Sequence, residues 1–274
     1  MHVRGLYLAV DVAGPEAGPA LVLLHAFPLS KRMWEKNVPA LAGAGWRVVT
    51  LDFRGFGLSE AAAAPYTLAE LAEDVVAVVD QLKIERAVFA GLSMGGYVLF
   101  EILVRAPDLV RAALFCDTRA DPDTPAGREG RYKAIDQIAG GQAGREEYLA
   151  GLQGKLLGAT SLRERPAVVA EVQAMCAATS DAGLAGGLRA MATRVDHTAT
   201  LGVLRAAGIP ALFLAGDEDG ITSVDVARTM AAAVPGATLV AVPACGHLSA
   251  VERPDAFDAA VLAFLGGLGP SGGS

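Results

Sequence analysis

Ser93 stands in the stretch Ala87-Val88-Phe89-Ala90-Gly91-Leu92-Ser93-Met94-Gly95-Gly96-Tyr97. A short apolar run rich in strand formers ends at Gly91, and Tyr97 to Arg105 reads as a helix. Strand, Gly-x-Ser-x-Gly and helix in succession put a serine on a very tight turn, with its hydroxyl above the sheet edge. That turn needs neighbours without side chains, which Gly91 and Gly95 supply. The helix start adds partial positive charge and free N–H groups beside the hydroxyl. An ordinary glycine-rich turn is the competing reading, and the elements on both sides weigh against it.

A serine hydroxyl is a weak nucleophile and needs a base. The histidines are His2, His25, His197 and His247. His247 follows the last expected strand, behind Gly246, and is the best-placed base. His25 ends an earlier strand and reads as a wall residue that fixes its loop by hydrogen bonds. A base histidine needs a carboxylate to hold its tautomer and stabilise the imidazolium. Asp219 fits by the order serine, aspartate, histidine and by its place after a strand. Asp217 and Glu218 in the same turn, and Asp117 at the end of the strand after the serine strand, are its rivals. Acyl transfer also needs two N–H donors for the tetrahedral oxyanion. Met94, next after the serine, supplies one, and Phe27, in the loop after the Ala20–Leu24 strand, the second. Pro28 has no N–H to compete and stiffens that loop.

These residues need a scaffold. Leu6, Leu8, Val10 and Val12 alternate with Tyr7, Ala9 and Asp11, the period of one half-buried strand. Ala20 to Leu24 is apolar throughout, as a strand buried on both faces is. Met33 to Ala44 reads as a helix broken by Pro39, and Trp46 to Leu51 as a strand. Leu68, Leu71, Val75, Val78, Val79 and Leu82 share one face of a helix over Thr67 to Leu82. Ala112 to Cys116 is a strand, and then the strand–helix rhythm stops. From about 119 to 200 only helices are expected. Ser161-x-x-Glu164 with Pro166 marks a helix start, and Leu184, Leu188 and Met191 mark an apolar helix face. The many glycines there suggest mobility. Ala211 to Ala215 and Thr238 to Val242 resume the strands, with a helix over Ser223 to Ala233 between them. A final helix runs from Pro254 to Leu265.

The alternation predicts an α/β fold: a mostly parallel, doubly wound sheet of about eight strands with a helical insertion. Residues 1–118 and 201–266 form the core, 119–200 a helical cap, and 267–274 a flexible tail. Function is expected at the carboxyl ends of the strands. At 274 residues and 53% hydrophobic, the chain suffices for this core. No apolar run approaches the ~18–20 residues that span a bilayer. Asp11 interrupts the first apolar stretch, so no signal peptide is expected. Cys116, Cys176 and Cys245 form neither a metal pattern nor a disulfide framework, and a cytoplasmic location is the simplest reading. A net charge of −7, without a concentrated acidic block, argues against nucleic-acid binding.

His25-Ala26-Phe27-Pro28-Leu29-Ser30 resembles the His-Gly-Phe-Pro loop of α/β-hydrolase fold proteins. Asp52-Phe53-Arg54-Gly55-Phe56-Gly57-Leu58-Ser59 resembles their Asp-x-Arg-Gly-x-Gly-x-Ser loop. Gly91 to Gly96 is similar to their nucleophile elbow, Gly216-Asp217-Glu218-Asp219 to their acid turn, and Gly246-His247 to their base. His247-Leu248-Ser249-Ala250-Val251-Glu252-Arg253-Pro254 is similar to the subgroup of 3-oxoadipate enol-lactonase-like hydrolases. The resemblance covers nearly the whole chain. It implies a hydrolase of small carboxylic esters or lactones, acting through Ser93, His247 and Asp219 and an acyl-enzyme, with the N–H groups of Phe27 and Met94 on the oxyanion. It implies no metal and no organic cofactor. The expected partner is a small-molecule ester or lactone, with no nucleic acid and no membrane, and a homo-oligomer is compatible with it. Members with an aspartate nucleophile, the dehalogenases and epoxide hydrolases, do not fit Ser93. A cofactor-free perhydrolase of haloperoxidase type and a non-catalytic receptor on the same fold are the alternatives. Two departures are Ala26 in place of the usual glycine and Cys245 beside the base turn.

Overall fold

Strands buried on both faces organise the molecule, a computed structural model that describes residues 1–62 and 65–269. Short β-strands β1 (His2–Val3) and β2 (Leu6–Tyr7) pair antiparallel as a separate hairpin. The main sheet holds β3 (Val10–Ala13), β4 (Ala20–Leu24), β5 (Arg47–Leu51), β6 (Ala87–Leu92), β7 (Val110–Cys116), β8 (Ala211–Gly216) and β9 (Thr238–Val242). Their order is β3-β5-β4-β6-β7-β8-β9, with β3 antiparallel to β5 and every other pair parallel. Among the described residues the sheet thus has seven strands where about eight were expected. The single strand expected from Leu6 to Val12 is split instead. The Ala9 N–H leaves the ladder for Ser59 Oγ at 2.9 Å, and buried Leu8 exchanges hydrogen bonds with Met1.

The helices between β3 and β7 are α1 (Val38–Gly43), α2 (Leu68–Gln81) and α3 (Met94–Arg105). Pro39 sits in the first turn of α1, where its missing N–H costs nothing, and Lys31–Trp34 forms a separate 3₁₀ turn. The helix expected from Met33 to Ala44 is therefore two short pieces. Thr67 and Glu70 close a reciprocal capping box at the start of α2. Five helices fill the segment between β7 and β8 up to Ala192: α4 (Pro125–Ala139), α5 (Gln142–Leu156), α6 (Ala159–Glu164), α7 (Pro166–Ala178) and α8 (Asp181–Ala192). Ser161 lies inside α6 and accepts a hydrogen bond from Arg165, so the helix that starts at Pro166 is not capped by it. Then come α9 (Leu201–Ala206), α10 (Val224–Ala232), α11 (Ser249–Glu252) and α12 (Pro254–Gly266). Gly267 to Gly269 follow α12, and the rest of the expected tail lies outside the described residues.

Alternate residues of the central strands enter opposite cores. Val22, Leu24 and Phe89 face the side covered by α2, α3 and α10, whereas Leu21, Leu23 and Val88 face the side covered by α1 and α12. Among the described residues no helix is long and apolar enough to cross a membrane. The chain runs from β4 outward to β5 and then returns across β4 to β6. The loops after β4 and β6 therefore leave their strands in opposite directions, and a crevice opens at the carboxyl ends between them.

Candidate active site

Ser93 occupies that crevice, between the last residue of β6 and the first of α3. Its backbone is left-handed and strained, with φ 53° and ψ −111°. Close approach explains the flanking glycines. A Cβ on Gly91 would collide with the Gly95 backbone, and one on Gly95 with the carbonyl oxygen of Leu24 at the end of β4. The turn is further pinned by Ser93 N–H to Cys116 O at 2.9 Å and by the Thr118 hydroxyl to Ser93 O at 2.9 Å.

Three side chains from separate strand ends form a hydrogen-bonded series. His247 Nε2 lies 2.8 Å from Ser93 Oγ, and His247 Nδ1 lies 2.8 Å from Asp219 Oδ2. Asp219 also accepts from Ile221 N–H at 2.7 Å, Thr222 N–H at 3.0 Å and the Thr222 hydroxyl at 2.6 Å. An ionised carboxylate can only accept, so His247 Nδ1 carries the proton and donates it in the hydrogen bond to Asp219, which leaves Nε2 free to accept from Ser93. Burial disfavours the imidazolium of His247. The Asp219 hydrogen bond and the charges of Asp219, Asp117 and Glu252 outweigh it and hold His247 above the ordinary histidine value. Burial likewise opposes the Asp219 carboxylate, but His247 and Thr222 together keep its pKa below the usual value.

The rival acids are engaged elsewhere. Asp117 Oδ1 accepts Gly216 N–H at 3.0 Å, and its Oδ2 accepts Ser249 N–H at 3.1 Å. Burial, with the Asp219 charge, pushes its pKa up to about 7. Asp217 accepts from Cys245 N–H at 3.3 Å, and Glu218 accepts from Thr160 N–H at 2.8 Å. Of the other histidines, His197 pairs with Glu101 at 3.1 Å and His2 packs its ring on Tyr7. Cys245 is fully buried, and burial holds its thiol neutral, far above the ordinary cysteine value.

The loop after β4 is built to hold its shape. His25 Nε2 accepts Phe53 N–H at 3.0 Å, so Nδ1 carries the proton and donates to Ala26 O at 2.9 Å. Burial keeps that ring neutral by lowering its pKa. Ala26 is fully buried, with its N–H on Met33 Sδ at 3.2 Å, and the Phe27–Pro28 bond is cis. The Phe27 N–H has no protein acceptor among the described residues, and the Met94 N–H opens α3 and has no intrahelical acceptor. Both sit at the crevice, because Leu24 of β4 pairs with Gly91 of β6. The Asp52–Ser59 loop supports this one: Asp52 accepts Lys31 N–H at 2.7 Å and Leu58 N–H at 2.9 Å. Arg54 bridges Asp74 through two 2.6 Å bonds.

Sequence reasoning missed three supporting residues. Thr222 is one, and its trace was an aspartate followed by N–H donors two and three positions on, an Asx turn. Ser249 is the second. The third is Glu252, which accepts Leu248 N–H at 3.2 Å and Gly158 N–H at 3.0 Å and so ties the His247 loop to the helical segment. The last two stand in the His247–Pro254 stretch that carries the subgroup resemblance, but nothing local in it assigned them a role.

Strand order and a serine mounted on the carboxyl edge define an α/β-hydrolase architecture. The chain belongs to the α/β hydrolase fold family, whose model matches residues 19–254. It is 30% identical over 265 residues to carboxylesterase YbfK of Bacillus subtilis, covering 94% of this chain and 84% of that protein. It also matches bifunctional epoxide hydrolase 2 of Sus scrofa, 37% identical over 113 residues, which is 40% of this chain but only 20% of that protein. A thermophilic esterase from Thermogutta terrifontis superposes with TM-score 0.90 at 29% identity, covering 97% of this chain and 96% of that one. The enol-lactonase from Burkholderia xenovorans LB400 superposes with TM-score 0.87 at 30% identity, covering 96% and 98%.

Proposed function

We propose that this protein hydrolyses small carboxylic esters or lactones through an acyl-enzyme on Ser93. The observation that carries the reading is the series Ser93 Oγ–His247 Nε2–Nδ1–Asp219, with 2.8 Å at both junctions. In the first step Ser93 Oγ bonds to the carbonyl carbon while Nε2 takes its proton. The carbonyl oxygen becomes an oxyanion, which the Phe27 and Met94 N–H groups hold. The tetrahedral intermediate collapses, the C–O bond to the alcohol breaks, and Nε2–H protonates the leaving alkoxide. Water then attacks the acyl-enzyme with Nε2 as base. Collapse releases the acid and returns the proton to Ser93. In a lactone the leaving alkoxide stays tethered to the acyl group, so one hydroxy acid is released. The charges that favour a protonated His247 favour the first proton transfer.

Helices α4 to α8 act as a cap that bounds the substrate. The likeness to an esterase and to an enol-lactonase, each over nearly its full length, supports this substrate class. The test is hydrolysis of p-nitrophenyl esters from acetate to octanoate, followed by a panel of lactones. Turnover on either set, with a chain-length optimum, supports the reading. Stoichiometric ligand binding without turnover favours a receptor, and peroxide-dependent halogenation in carboxylate buffer favours a perhydrolase.

A further inference from the structure

Helix α8 is seated directly on the loop that carries Phe27. A Cβ on Gly187 would lie 2.8 Å from Phe27 Cδ2 and 2.8 Å from Phe56 Cζ. One turn earlier, a Cβ on Gly183 would collide with the carbonyl oxygen of Gly55. In the link into α8, the buried Thr179 hydroxyl donates to Pro28 O at 2.5 Å. The opposite side of the seat is rigid. Phe56 is fully buried and packs edge-on against His25 at 5.2 Å, and the Phe53 N–H pins His25 in turn. The Phe27 ring therefore lies between bare backbone on α8 and the edge of Phe56, 6.1 Å between ring centroids. The next residue along is tied by its carbonyl to the link into α8.

We propose that Gly187 and Thr179 are positioning residues for the Phe27 N–H, so that α8 sets the oxyanion donor as well as bounding the substrate. The proposal rests on the function proposed above. A methyl at position 187 has no room, and Phe56 cannot retreat. The Phe27 ring must shift, and because it is packed between α8 and Phe56 it carries its own backbone N–H with it. The donor matters where negative charge develops, so its displacement costs transition-state stabilisation more than substrate binding.

The test compares ester turnover by Gly187→Ala, Thr179→Val, Thr179→Ser and Gly43→Ala. Position 43 at the end of α1, outside the cap, has open space and serves as the control. Removing an oxyanion donor outright costs ~10²–10³ in rate, so displacement is expected to cost about 10- to 100-fold in kcat. KM should stay within about twofold, the split expected when an interaction made only in the transition state is lost. Thr179→Ser keeps the hydroxyl and should recover most of the loss, and Gly43→Ala should match wild type. Should Gly187→Ala fail to fold, the Thr179 pair decides. Wild-type kcat in Thr179→Val, or in a folded Gly187→Ala, overturns the proposal, as does a rise in KM at unchanged kcat. Either result would leave the role of Ser93 standing. Wild-type turnover by Ser93→Ala would instead overturn the acyl-enzyme reading and this proposal with it.

Discussion

Asp117 and Ser249 are joined by a 3.1 Å hydrogen bond from the Ser249 N–H to Asp117 Oδ2, two residues beyond His247. The strand end that competes for the acid role is thereby spent on holding the loop of His247. Of the two carboxylates, Asp219 is the one within hydrogen-bond distance of His247 Nδ1, at 2.8 Å. Asp219→Asn is expected to lower kcat by about 10⁴, the loss seen when a triad histidine takes the wrong tautomer. Asp117→Asn should lose no more than about tenfold. Steady-state ester kinetics on the two variants separate them, and a reversed ranking would make Asp117 the acid.

Only neutral His247 can accept the serine proton. Because its pKa is raised above 6.5, kcat/KM is expected to fall on the acid side of a limb centred above pH 6.5. Asp117, pushed up to about 7, is charged above that pH and then adds negative charge beside the imidazole. That charge favours the imidazolium. Asp117→Asn should therefore move the limb to lower pH, and a shift to higher pH would contradict the assignment of that charge.

Arg54 and Asp74 form a buried pair with two 2.6 Å contacts, their side chains 9% and 3% exposed. Removing one partner strands the other charge. Asp74→Ala is expected to cost about 3–5 kcal/mol in urea unfolding. A loss under about 1 kcal/mol, the range of exposed ion pairs, would mean that Arg54 finds water or another partner.

Glu252 holds two buried N–H groups, those of Leu248 and Gly158. Glu252→Ala leaves both unpaired, at about 1–3 kcal/mol each. Its charge also helps to raise the pKa of His247. The variant should unfold at lower temperature and move the acid limb of kcat/KM to lower pH. Thermal unfolding and the pH profile read the two effects independently.

Much of this arrangement is legible in the residue order. Runs such as Ala20–Leu24 and Ala87–Leu92 announce buried strands because a parallel strand needs apolar side chains on both faces. The serine turn is readable because only glycine fits beside it. What stayed hidden is long-range. Ser249 meets Asp117 across 132 positions and Glu252 meets Gly158 across 94, and one isolated side chain leaves no period to detect. The Leu6–Val12 alternation misled because Ser59, far along the chain, captures the Ala9 N–H. Gly183 and Gly187 misled in another way. Glycine in a helix reads as looseness, yet both are sites of closest approach between α8 and the site loops.

The central claim is a covalent acyl intermediate on Ser93. Rapid acid quench after mixing with p-nitrophenyl butyrate, followed by intact-protein and peptide mass spectrometry, tests it most directly. A butyryl adduct is expected on the peptide that holds Ser93, formed with the p-nitrophenol burst and absent in Ser93→Ala. Turnover without any adduct on that peptide, or an undiminished burst in Ser93→Ala, would contradict it.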